Sequence, residues 1–592
     1  MDPRRVRPER SGTTAATLVR GGSPHPPRSS ARGRGRCGDR PRKTSVGPSS
    51  LPAVLLALAA ACALAGCGAW HDERRATFGF DFPPPAPEEG TSAIVFFIDG
   101  INAGVFDRML QDGRLPMIKK YFVDRGLYST RCVANVPSVT LANETSFVTG
   151  RFVGRHGITG INWFDRNRLF WRDYEEVNQK NTLDGDYTAT TIFERLPDAT
   201  TMSLFFQAHR GATRFVENWT SAGPPYFFGW YDLVDRLALW RFDIVSHVAR
   251  VQGRFPAFVI AYLLAPDMEA YRAGVSSETY EKAIEHAQAH IGRVLRDLEA
   301  AGRLEKTVIV LASDHGMTDV VRHWPIEKFL RDEVRLKMPS HAFADDIRFE
   351  FRLGYYQKFS CVLAGAGDRY WALYLRRPRG GAEARQPEFE NWLARPRAED
   401  LRAYPTRDGR RVDLIQTLRD AEAVDLVAYR PGPDRVHLVT KKGLAELARA
   451  SPQDRDVSYR VLQGDDPLGY SQAMPPAMLL GRPQPPEAWL RASADTQYPD
   501  LVPQIMAYFD APRAGDIAVF AAPGWDFGHK HKAGHGGLRP VEMYTVLLVA
   551  GPGVGHERRQ EPVRAVDVVP TLLDLLGRPV PADLDGRSLI AH

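Results

Sequence analysis

Three short apolar runs that each stop on an acid constrain this chain more than any other feature. They are "SAIVFFIDG" (residues 92–100), "FVIAYLLAPD" (258–267) and "KTVIVLASDHGM" (306–317). Each is rich in β-branched and aromatic residues and lacks polar alternation, the pattern of a strand buried on both faces of a parallel sheet. Between the second and third lies "SSETYEKAIEHAQAHIGRVLRDLEAAG", where Tyr280, Ile284, Ala287, Ile291, Leu295 and Leu298 share one helical face; Ser277 or its neighbour caps the start and Gly302 ends it. Strand, helix and strand with polar residues at the strand ends predict an α/β, doubly wound, mostly parallel sheet flanked by helices, with its site at the carboxyl edge. A further run, "MYTVLLVAGPGVG", and a terminal helix, "VDVVPTLLDLLG", extend the same core.

The 592-residue chain has room for more than this core. Residues 91–318 and 513–592 read as its two parts. Residues 319–512 are irregular and alternate like hairpin strands, notably around "YRPGPDRV", which predicts an inserted α+β cap. The N-terminus has a different character. Residues 1–50 carry eleven Arg and one Lys against Asp2, Glu9 and Asp39, too polar for a core, and read as a disordered leader or start-site extension. Residues 51–66 read as a lipoprotein signal peptide: the run is too short and Ala-rich for a membrane span, and Leu64-Ala65-Gly66-Cys67 resembles the bacterial lipobox, in which the cysteine is lipidated. Residues 67–90, with "FPPPAPEEG", read as a tether.

On this reading the protein is expected on a bacterial membrane by a lipid anchor, in the periplasm or at the cell surface, with an ordinary signal peptide or a short membrane anchor as the alternative. The same reading also changes the charge argument. The whole chain is +6, but the twelve basic and three acidic residues before Cys67 leave with the leader, so the remainder is −3 and nucleic-acid binding is not expected. Beyond the anchor only Cys132 and Cys361 remain, read as two buried thiols or one long-range disulfide.

Asp99, Asp267, Asp314 and His315 follow apolar runs, and His535 lies in "AGHGGLRP" before another. Carboxylates and imidazoles gathered at one sheet edge suit zinc or a similar divalent ion. Thr140, in "NVPSVTLANETSFVTGRFVGRHGI", precedes Asn143 by three residues and opens a helix; it is either a simple cap or a hydroxyl placed to attack an anion at a helix N-terminus. No Walker loop and no nucleophile-elbow serine is present.

In this order the motifs resemble the alkaline phosphatase superfamily, in its branch of type I phosphodiesterases and nucleotide pyrophosphatases. The likeness covers residues 91–318 and 513–590. Cys132, followed by Val-Ala-Asn-Val, lacks the setting of a sulfatase cysteine. The resemblance implies a metal-dependent phosphoric ester hydrolase with two divalent ions, zinc by preference, acting on a small phosphoester or nucleotide-like substrate. Thr140 is then the nucleophile. Asp99, Asp314 and His315 hold the metal beside it; Asp267 and His535 hold the second, which activates water. The place of an asparagine that in the family binds a phosphoryl oxygen falls, counted from Thr140, on Ile161, with Asn162 one residue later; the resemblance implies that role for Asn162. A phosphomonoesterase, a phosphonate hydrolase and a weakened binding member are the alternatives.

One position departs from the family. Tyr271, one helical turn after Asp267, stands where the resembling enzymes present a histidine ligand. A neutral phenol is a poor ligand. Either Tyr271 ligates as phenolate, or a histidine of "GHKHKAGHGG" (His529 or, better, His531) substitutes, or the second site is weak. His286 and His290, spaced one turn apart, and His156 are expected to be structural. Trp163, Phe164, Phe170, Trp171, Phe227, Phe228 and Trp230 are expected mostly to pack, with stacking on a nucleobase as the alternative.

Overall fold

Every residue of Ser92–Ile98 (β1) is buried, as an unbroken apolar run requires of a strand covered on both faces. In the computed structural model, which describes residues 79–175, 182–217, 219–339, 354–379 and 388–590, this strand lies inside a mixed sheet. Its other principal strands are Gly126–Val133 (β2), Thr201–Leu204 (β3), Arg214–Val216 (β4), Phe258–Leu263 (β5), Thr307–Ala312 (β6) and Tyr544–Ala550 (β7). The order is β2-β7-β6-β1-β5-β3-β4, with Glu557–Arg558 outside β2. β1 pairs in parallel with both β5 and β6, while β7 is antiparallel to β6 and β2. The mostly parallel sheet expected from the apolar runs is therefore present. The described residues belong to one compact unit, Gly66–His592; the predicted leader, signal segment and Cys67 lie outside them.

Helices cover the sheet. Thr140–Thr149 (α1) follows β2, Tyr231–Trp240 (α2) precedes β5, and Ala265–Ala273 (α3) and Glu278–Ala300 (α4) link β5 to β6; Val568–Leu575 (α5) closes the chain. In α4 the expected stripe of Tyr280, Ile284, Ala287, Ile291, Leu295 and Leu298 is buried, and the Ser277 side chain accepts a hydrogen bond from Tyr280 N–H. The chain before β1 is packed against this layer: Phe80 and Phe82 meet Phe242 and Phe255, and Arg303 donates to Glu89 at 3.1 Å.

A second sheet of seven strands is built from Cys361–Ala366, Tyr370–Leu375, Val424–Gly432, Arg435–Val439, Gly443–Ala448, Ser458–Gly464 and Ile517–Ala521. It is antiparallel throughout, and the Val424–Gly432 hairpin turns at Pro433-Asp434 as the sequence signalled. The hairpin turn at Gly367-Asp368 meets the main-sheet site: Asp368 bridges to His535. Cys132 and Cys361 are both buried free thiols. Among the described residues no helix is long and apolar enough to cross a membrane.

Candidate metal centre

β1 and β6 run side by side with Phe97 opposite Ala312. Two residues further on, Asp99 and Asp314 therefore leave the sheet together. Asp314 Oδ1 accepts from Gly100 N–H (3.1 Å) and His315 N–H (2.9 Å), while its Oδ2 has no hydrogen-bond partner. Asp99 Oδ1 and Asp267 Oδ1 are likewise buried without a partner. Three carboxylates thus each present one uncommitted oxygen in a buried place, an arrangement that is costly unless a cation completes it.

The imidazoles are oriented to match. His535 Nδ1 faces Ser138 O at 2.9 Å and His315 Nδ1 faces Gly316 O at 3.2 Å, which turns each Nε2 toward the acids. His315 Nε2 lies 3.1 Å from Asp314 Oδ2 and 3.5 Å from Asp99 Oδ1; His535 Nε2 lies 3.9 Å from Asp267 Oδ1. Two groups result, Asp99 with Asp314 and His315, and Asp267 with His315 and His535, each with donor atoms within 4.8 Å of one another. His315 stands in both, and its ring stacks on His535 at 3.6 Å. Carboxylate and imidazole donors in this number fit divalent ions of the zinc type.

Charge is frustrated here without a cation. Burial, reinforced by Asp314 and Asp267, pushes Asp99 well above the usual carboxylate range. Burial likewise lifts Asp267, partly opposed by His315, to about 7. Asp314 is lowered despite its burial because His315 stands beside it, and His315 is raised, against burial, by Asp314. Burial and the neighbouring His315 hold His535 well below the usual range.

Thr140 is the first residue of α1, and its Oγ1 lies 3.3 Å from His315 Nε2, so the hydroxyl and the acids share one place. Asn143 braces the loop beneath it: its Oδ1 accepts from Asn135 N–H (2.6 Å) and its amide nitrogen donates to Pro137 O and Val139 O (both 3.1 Å). Asn162 opens a short strand, and its amide oxygen accepts from Gly365 N–H at 2.8 Å, tying it to the second sheet.

Asp267 lies in the first turn of α3, just after Pro266, and Tyr271 one turn later packs its ring 5.8 Å from that of His535 and 4.6 Å from that of His531. Burial, with Asp267 and Asp368 nearby, pushes the Tyr271 phenol well above its ordinary range. His531 does not join either three-residue group; its Nδ1 is hydrogen-bonded to the Asp368 carboxylate. His156 is buried between Ser146 and Ile158, a structural role. His286 and His290 do have an acidic partner, which their spacing did not reveal: Asp232 of α2, at 3.2 and 2.9 Å. Of the aromatics, Trp163 and Phe164 are core residues, whereas Phe227, Phe228 and Trp230 are exposed.

Several supporting residues have no legible signal. Asp235, buried in α2, accepts from Leu264 N–H (2.7 Å) and Ala265 N–H and so caps the helix carrying Asp267. Arg369 and Glu542 form a fully buried pair (2.7 Å), and Glu542 also receives Gly537 N–H (2.8 Å), fixing the loop after His535. Glu144, one turn beyond Thr140, is fully buried, and burial pushes its carboxyl well up. Asp235 acts on residues 29 and 30 positions away and Arg369 on one 173 positions away.

A mixed, mostly parallel α/β sheet with acids and histidines paired at its strand ends is an alkaline phosphatase-like fold. Comparison narrows it: residues 93–374, a little under half of the chain, match the family described as Type I phosphodiesterase / nucleotide pyrophosphatase, a family of the alkaline phosphatase superfamily. Similar curated proteins include a venom phosphodiesterase of Crotalus durissus collilineatus (22% identical, 40% of this chain and 27% of that protein). Ectonucleotide pyrophosphatase/phosphodiesterase family member 1 of Mus musculus is also similar (23%, 43% and 27%). The match therefore spans little more than a quarter of those relatives' length. Among solved structures, murine ectonucleotide pyrophosphatase/phosphodiesterase 5, an inactive variant in complex with AMP, shares the fold with a TM-score of 0.50 and 13% identity, over 83% of this chain and 96% of that one.

Proposed function

We propose that the protein is a metal-dependent phosphoric ester hydrolase acting on phosphodiesters or pyrophosphates of small, nucleotide-like molecules, with Thr140 as nucleophile. The observation that carries this reading is the convergence of three unpartnered buried carboxylate oxygens on His315 and His535, with the Thr140 hydroxyl 3.3 Å from His315 Nε2. Asp99, Asp314 and His315 would hold one ion beside Thr140, and Asp267 and His535 the other. Divalent ions at such positions, zinc by preference, stabilise charge on attacking and leaving oxygens.

The chain's own residues do the rest. Thr140 sits at the N-terminus of α1, where the helix dipole favours the substrate anion. Its Oγ1 loses a proton and forms a bond to phosphorus as the bond to the leaving oxygen breaks, and that oxygen takes up a proton. Water then cleaves the phosphothreonine, and two displacements retain configuration at phosphorus. The amide of Asn162 is assigned to a phosphoryl oxygen. Thr140→Ala is expected to lower hydrolysis of an activated phosphodiester about 10⁴-fold or more, on the scale of nucleophile removal elsewhere. An unchanged rate would remove Thr140 from this role.

A second reading, a weakened member that binds phosphate-bearing ligands with little turnover, is favoured by one observation: the raised Tyr271 phenol at the second group. Fewer than two ions per chain together with no turnover on mono- or diesters would select it. We also propose, from Leu64-Ala65-Gly66-Cys67, lipidation at Cys67 and placement in the periplasm or at the cell surface. Cys67→Ser should then move the protein from the membrane fraction to the soluble one.

A further inference from the structure

Asp99 carries two carboxylate oxygens and the metal reading uses one. Its Oδ1 is buried and unpartnered, 3.5 Å from His315 Nε2. The other oxygen, Oδ2, accepts a hydrogen bond from the phenol of Tyr262. Tyr262 lies on β5, the strand beside β1, opposite Phe97. Its ring packs beside Phe97 and Phe206, each with a centroid 6.4 Å away.

A carboxylate at a strand end turns about two single bonds and can offer one oxygen or both to an ion. A donor that occupies Oδ2 removes this choice. We propose that Tyr262 is a positioning residue of the first metal group: its hydroxyl holds Asp99 Oδ2 and thereby commits Oδ1 alone to the ion shared with Asp314 and His315. The inference rests on the two-ion reading above. Tyr262 contacts no substrate and acts only through Asp99. The arrangement is the carboxylate counterpart of a metal-bound histidine whose second nitrogen is fixed by an outer partner.

Tyr262→Phe keeps the ring and deletes the bond. Purified full-length protein, stripped by chelator and titrated with zinc against a chromophoric competitor, separates the two binding phases; Asp314→Asn, which removes a first-group ligand, identifies the phase to be read. Tyr262→Phe should weaken that phase tenfold to a hundredfold, as loss of an outer partner does, and leave the other phase within about twofold. Phe206→Leu, which loosens the ring's packing but keeps the hydroxyl, should leave the first phase nearly unchanged. An equal affinity in Tyr262→Phe and wild type overturns the proposal. So does an equal loss in Phe206→Leu, which would reduce Tyr262 to packing. Failure of the wild type to bind zinc at all would instead overturn the two-ion reading.

Discussion

Asp99 and Asp314 stand at the ends of adjacent strands whose register sets their spacing, whereas Asp267 and His535 reach the same place from a helix turn and a loop. The first group is therefore a by-product of pairing β1 with β6, and each of its acids has its second oxygen occupied by a donor: Tyr262 for Asp99, two backbone N–H groups for Asp314. The second group depends on tertiary braces, Asp235 under α3 and the Arg369–Glu542 pair beside His535. Tyr271 stands at the second group, not the first. The difference teaches that one candidate group is specified by the sheet and the other by what surrounds it.

The contrast is broken most severely at the first group. Asp314→Asn replaces one carboxylate oxygen by an NH2 group, so the side chain keeps either the acceptor for Gly100 and His315 N–H or the oxygen offered to an ion, not both, and hydrolysis of an activated phosphodiester should fall by well over the hundredfold of an outer-shell change. A loss no larger than that of Asp267→Asn would mean that the two positions are equivalent. Next in size, Tyr271→His replaces a phenol held neutral by burial with a neutral imidazole, the ordinary zinc donor. Metal content should rise toward two ions per chain and turnover by about tenfold, on the scale at which neighbours of an ion matter. A fall in both would make tyrosine a working ligand.

The smallest effect is on stability. In the metal-free protein Asp267 is lifted to about 7 by burial. Between the ordinary carboxylate range and that point the unfolded chain has released a proton that the native chain still holds, so stability declines as pH rises through the window. Asp267→Asn abolishes this contribution. The melting temperature of chelator-treated variant should fall less between about pH 4 and 7 than that of wild type, by a few degrees. Identical slopes would show that Asp267 does not feel its burial.

The apolar runs made the main sheet legible, because a strand covered on both faces leaves little freedom in composition, and α4 was legible to its cap because its stripe and Ser277 agree. Asp99, Asp267, Asp314 and His315 were readable for the same reason: they interrupt those runs. What brings them together was not. The sharing of His315 between two groups follows from ring stacking with His535, 220 positions on, and no local pattern encodes it. Tyr262 reads in sequence as one more aromatic in a strand; its partner Asp99 is 163 positions away. Asp232, which answers His286 and His290, was hidden in the same manner. In the second sheet the hairpin at Pro433-Asp434 announced itself through turn chemistry, but the strand Ile517–Ala521 inserts between Tyr370–Leu375 and Val424–Gly432 from far along the chain.

The buried carboxylate of Asp235 belongs beside the clustered acids and histidines it never touches. Two N–H groups at the start of α3 hang from it, and α3 in turn carries both Asp267 and Tyr271. One of the two candidate groups is thus a suspended part, and the peg it hangs from lies on another helix, outside the sheet. A copying error at position 235 would leave the foundation of Asp99 and Asp314 standing while letting the second bracket sag.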